Sequence, residues 1–108
     1  MFMAVPRDPL DGLEGFDWDA ANADKLWRRH RVTVFEAEEV FKMRPLFIAD
    51  DPKHSAVERR FSVLGRTANG RPLNVIFTVR PPRLRVVSAR PMNRKEREIY
   101  ARANQKAP

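Results

Sequence analysis

The chain has 108 residues, 43 % hydrophobic and 32 % charged, which suits one small globular domain. It contains no cysteine, which excludes a disulfide scaffold, a thiolate zinc site, an iron–sulfur cluster and a thiol nucleophile. Twenty-one Lys and Arg against fourteen Asp and Glu give a formal charge of +7, a balance that fits a polyanionic partner, an acidic protein partner or plain solubility.

Residues 1–15 are rich in Pro, Gly and acids and read as a flexible acidic N-terminal arm. One domain, over residues 16–105, follows. Asp19 is an N-cap, and Ala23, Leu26, Trp27 and His30 behind it fall on one helical face. Thr33-Val34-Phe35-Glu36 has the spacing of a capping box and starts a second helix. That helix runs to about Lys42, burying Ala37, Val40 and Phe41, and Pro45 forbids its continuation. Leu46 to Ala49 reads as a short strand, and Asp50-Asp51-Pro52 as a turn.

Arg59 to Thr67 alternates. Phe61, Val63 and Gly65 take one side, and Arg60, Ser62, Leu64 and Arg66 the other. Ala68-Asn69-Gly70-Arg71 is a hairpin turn. Leu73 to Arg80 and Leu84 to Ala89 are two further strands, joined across Pro81-Pro82. Asn93 caps a last helix with Ile99, Tyr100 and Ala103 on its buried stripe. The expected class is α+β: two N-terminal helices, a four-stranded largely antiparallel sheet and a C-terminal helix. The apolar runs are broken by Asn74, Thr78 or Arg85, so no segment is fit to span a bilayer. No signal-peptide core precedes Asp8, Asp11 and Glu14. The expectation is a cytoplasmic protein without membrane contact.

Charge is uneven along the chain. Residues 1–24 hold one base and six acids, and the remainder holds twenty bases and eight acids. Most of the bases are arginine, whose planar fork matches phosphate. Nucleophile signatures are missing around Ser55, Ser62 and Ser88. His30 lies on an apolar helix stripe and reads as a core or interface residue, as do Trp18 and Trp27. His54 sits in a turn beside Lys53, and an ordinary histidine pKa suits proton transfer; a surface histidine paired with Glu58 is the plainer alternative. Two histidines this far apart make no metal site.

Several segments, in order and spacing, resemble the BrnT-like toxins of bacterial type II toxin–antitoxin systems, within the RelE/ParE-like superfamily. They are Phe16-Asp17-Trp18-Asp19, Lys25-Leu26-Trp27, Arg29-His30, Phe35-Glu36-Ala37-Glu38-Glu39-Val40-Phe41, Asp51-Pro52-Lys53-His54-Ser55, Leu64-Gly65-Arg66-Thr67, Gly70-Arg71-Pro72-Leu73 and Phe77-Thr78-Val79-Arg80. The most specific piece is Arg85-Val86-Val87-Ser88-Ala89-Arg90, followed by Met92, Arg94-Lys95-Glu96-Arg97 and Tyr100. The chain departs from the family's usual pattern at Arg31, where a Gly often follows the His, and at Pro81-Pro82, where Gly-Asp is common.

The resemblance implies a RelE-like fold and a small endoribonuclease that cuts RNA with no metal or other cofactor. In such chemistry the RNA's own 2′-OH attacks the adjacent phosphorus. By that resemblance Arg90, at the end of the last strand, is the first candidate for holding the charge of the phosphorane. Arg66 and Arg80 are further catalytic candidates, and His54 a candidate for moving protons. Lys53, Arg59, Arg60 and Tyr100 are candidate RNA contacts. The implied partner is a ribbon-helix-helix antitoxin of the BrnA kind, with promoter DNA bound through the toxin–antitoxin complex. The same arginines also fit a non-catalytic nucleic-acid-binding or antitoxin-binding module.

Overall fold

The computed structural model describes residues 8–54 and 57–106. A two-residue strand β1 (Gly15–Phe16) leads into helices α1 (Ala20–His30) and α2 (Val34–Lys42). Strand β2 (Phe47–Asp50), a short 3₁₀ turn (Pro52–His54), and strands β3 (Arg60–Arg66), β4 (Pro72–Arg80) and β5 (Arg83–Pro91) follow, and helix α3 (Arg94–Lys106) ends the order. The sheet runs β1-β5-β4-β3-β2. It corrects the expectation of four strands: β1 adds a fifth, parallel to β5, with Gly15 opposite Arg83 and Phe16 opposite Leu84. Two residues are too few for periodicity to reveal, and their pairing partner lies far along the chain. The other four strands form an antiparallel meander, as expected.

The three caps form as the sequence indicates. Asp19 accepts from the Asn22 amide at 2.7 Å. Thr33 and Glu36 make a reciprocal capping box. Asn93 and Glu96 do the same at α3, at 2.8 and 3.0 Å. Arg31 ends α1 in the left-handed region, φ 54° and ψ 39°. The position therefore has a glycine-type conformation occupied by arginine. Its guanidinium lies 5.2 Å from the Trp27 ring centre. Trp27 is accordingly 47 % exposed, a correction to its expected place in the core; only Leu26 of α1 is fully buried.

One face of the sheet meets α1 and α2 over Phe61, Val63, Leu73, Val75, Phe77, Leu84, Val86 and Ala89. Phe77 packs edge-on to Phe41 at 5.1 Å and stacks on Phe61 at 5.4 Å. Leu10, Leu13 and Phe16 pack against this core. Glu14 donates its amide to Pro82 and Asp17 to Leu84. The C-terminal half of the stretch read as an arm thus lies along the sheet, and residues 1–7 fall outside the described residues.

Candidate active site on the open sheet face

The opposite face of the sheet carries the polar side of the β3 alternation. Register puts Leu64, Asn74 and Arg90 in one row, Ser62, Ile76 and Ser88 in the next, and Arg60, Thr78 and Arg85 in a third. Helix α3 lies across the Arg90 end of this face: it contacts β3, and its Tyr100 ring meets Phe47 at 5.6 Å.

Arg90 is held by two points. Its Nη1 and Nη2 donate to Glu96 Oε1 and Oε2 at 2.7 and 2.8 Å. The same Glu96 caps α3 and accepts from Asn74 Nδ2 at 2.7 Å. Asn74 Oδ1 accepts from the Ser62 hydroxyl at 3.0 Å. A continuous network therefore runs from β3 through β4 and α3 to Arg90 on β5. Burial raises the Glu96 pKa, but the Arg90 guanidinium, the Asn93 amide and the Asn74 amide outweigh it and hold the carboxyl below its usual range. Arg90 is pushed up by Glu96. Its side chain stays 39 % exposed, against 17 % for Glu96, so the guanidinium is both fixed and reachable.

Arg66 ends β3 at the same end of the sheet and donates to the Arg44 carbonyl at 2.9 Å. Tyr100 donates to the next carbonyl, of Pro45, at 2.8 Å. Burial pushes the Tyr100 phenol up, against the nearby Arg66 charge, so it serves as a donor rather than a base.

The other candidates gather at the far end. Arg80 is six residues from Asn74 along β4, roughly 20 Å at about 3.4 Å per residue. It pairs with Glu58 at 3.0 Å and lies 4.0 Å from Asp17. Arg59, just before β3, pairs with Asp50 at 2.9 Å. Arg60 lies on the open face opposite Thr78. Lys53 and the His54 backbone belong to the 3₁₀ turn after β2; Asp51, just before that turn, bonds back to Arg60. Ser55 lies outside the described residues. The structure thus brings Arg66, Arg90 and Tyr100 to one end, and Lys53, His54, Arg59, Arg60 and Arg80 to the other.

Glu96, Asn74 and Ser62 were not singled out by the sequence as site residues. Two signals were available: the Asn93-to-Glu96 capping spacing, and an asparagine interrupting the apolar run of β4. Among the described residues no three of His, Asp and Glu come together as metal ligands, and no described helix is long and apolar enough to cross a membrane.

The family model described as the ribonuclease toxin, BrnT, of type II toxin–antitoxin systems matches residues 18–96. The chain belongs to the BrnT family. The matched span starts at Trp18, runs through α1, α2 and the whole antiparallel meander, and closes on Glu96, the residue that grips Arg90. Membership makes the chain a ribonuclease toxin by family, with RNA as target and an antitoxin as partner. No curated protein matches the chain at a significant level.

Proposed function

We propose that the chain is an endoribonuclease that cuts RNA by attack of the 2′-OH on the neighbouring phosphorus, without a metal ion, at the Arg90 end of the open face. As the 2′-oxygen bonds phosphorus its proton leaves, the P–O5′ bond breaks, and the 5′-oxygen gains a proton. The products are a 2′,3′-cyclic phosphate and a 5′-hydroxyl. Arg90 and Arg66 stabilise the phosphorane charge, and Tyr100 offers its ring to a base. The strand continues across the open face toward Arg60, Arg80 and Lys53. The reading is carried by the two-point grip of Glu96 on an exposed Arg90, because a preorganised guanidinium needs little reorganisation when charge develops.

The pairing of Arg80 with Glu58, which offsets the charge of a catalytic candidate, favours a second reading, a non-catalytic module that binds RNA or its antitoxin. An RNA cleavage assay in excess chelator, comparing wild type with Arg90→Ala, separates the two. Cyclic-phosphate ends from wild type, reduced roughly 10²-fold or more by Arg90→Ala, are expected. No cleavage by a folded wild type supports the module, and equal cleavage by both proteins removes Arg90 from the site. In the same reading the antitoxin is a ribbon-helix-helix protein that covers this face, and promoter DNA is bound through the complex. The protein acts in the cytoplasm.

A further inference from the structure

Most arginines near the open face are matched by acids: Arg90 by Glu96, Arg80 by Glu58, Arg59 by Asp50 and Arg85 by Asp19. The corner between α2 and β2 differs. Arg66 donates to the Arg44 carbonyl through Nη2 and also lies within hydrogen-bond reach of the Tyr100 hydroxyl. Among the described residues Arg44 bonds only the Phe41 and Met43 carbonyls, both through Nη1, at 3.1 and 3.2 Å. Neither arginine has a carboxylate partner among those residues. Arg44 is exposed and Arg66 half-buried. With only its Nη1 engaged, the exposed Arg44 fork keeps further N–H groups for a ligand. Arg66 and Tyr100 rest on consecutive carbonyls, those of Arg44 and Pro45, so a guanidinium and an aromatic hydroxyl reach the Arg44-Pro45 loop together.

We infer that Arg44, next to the Arg66 and Tyr100 end of the site, forms a second phosphodiester subsite, which holds the RNA backbone one step away from the phosphate held by Arg90 and Arg66. The inference rests on the proposed RNA-binding face. Two arginine forks without an internal anion match phosphate oxygens. An aromatic ring beside Arg66 fits a single strand, whose bases are free to stack, better than an acidic peptide. Arg44 is the new residue. Neither periodicity nor motif spacing marked it, since it lies in a loop.

The probe is a short 2′-O-methyl oligouridine, which binds but cannot be cut because its nucleophile is blocked. Arg44→Ala weakens its binding several-fold at low salt and lowers the slope of log affinity against log salt by roughly 0.7, the share of one single-strand phosphate contact. Arg44→Lys keeps the slope. An unchanged slope in Arg44→Ala, or a loss in Arg44→Lys equal to that in Arg44→Ala, overturns the subsite. Because Arg44 also bonds the end of α2, wild type is titrated in parallel, following the Nε–H resonances of Arg44 and Arg66 by NMR. Both shift with the oligonucleotide if the subsite exists. No shift, or a shift with oligoglutamate alone, sinks it. Wild-type cleavage is measured separately. Cleavage with an unaltered slope refutes the subsite alone, and binding through Arg44 without cleavage refutes the catalytic reading alone.

Discussion

At the scale of single residues, Glu96 does three things at once: it caps α3, accepts from Asn74 and fixes Arg90. Its carboxyl titrates below its ordinary value in the folded chain. The stability from this depressed pKa is fully present above the unfolded value near about 4.3 and is lost as pH falls through the lower folded value. Glu36 behaves alike: burial raises it, while the Thr33 amide and Arg71 outweigh that and lower it. Glu96→Gln is therefore expected to be less stable than wild type at neutral pH and to lose less stability on acidification. Urea midpoints at pH 7 and at about pH 3.5 check this: the gap between the two proteins should narrow at the lower pH. A gap that stays constant would mean that the carboxylate charge adds nothing to the native state. The sequence made Arg90 legible as a candidate, yet not its restraint, because a network of four residues on four elements leaves no local pattern.

At the scale of elements, the hairpin, the three helices and the meander followed from capping residues, alternation and Pro or Gly punctuation, all short-range signals. The misses were contacts that periodicity does not show. Strand β1 exists because Gly15-Phe16 finds β5, and Trp27 lies outside the core because Arg31, rather than the sheet, covers its ring. Gly65 shows a third case, a close approach that alternation cannot reveal. A Cβ there would come within 2.7 Å of Val40 Cγ1 and 3.5 Å of the Val40 carbonyl. Val40 is fully buried on α2, so it cannot swing aside into solvent. Gly65→Ala should push α2 off β3 at a cost of roughly 1–3 kcal/mol, read from the denaturation midpoint. Val40→Ala removes the clashing methyl, so the double variant should be more stable than the two single losses predict by addition. Strict additivity would place the strain elsewhere. Arg66 follows Gly65 directly, so this packing also sets the position of a candidate site arginine.

At the scale of the whole molecule, the sequence presents a basic chain with an acidic first segment, and the fold decides where the two meet. Asp17 and Asp19 leave β1 at the β5 edge and reach Arg85 at 3.6 and 2.6 Å. Asp17 also lies 4.0 Å from Arg80, whose main partner is Glu58. The open face is therefore electrostatically divided. Acids offset the arginines at the Arg80 end, whereas at the other Glu96 offsets Arg90 but Arg44 and Arg66 have no carboxylate partner among the described residues. Long-range attraction of RNA depends on this net surface charge, and single-strand binding loses affinity with salt in proportion to the phosphates neutralised. If RNA crosses the face, Arg80 contributes less than its full charge, because Glu58 competes for the same guanidinium. Glu58→Gln removes that competitor without deleting a cation. It should raise affinity for the uncleavable oligouridine several-fold at low salt and steepen the salt slope by up to about 0.7, while the effect fades at high salt as screening grows. Affinity and slope both equal to wild type would mean that the strand does not reach Arg80, and the track would end near Arg90. A gain in affinity without a change in slope would mean that Glu58 acts on the shape of the Arg80 end and not through its charge.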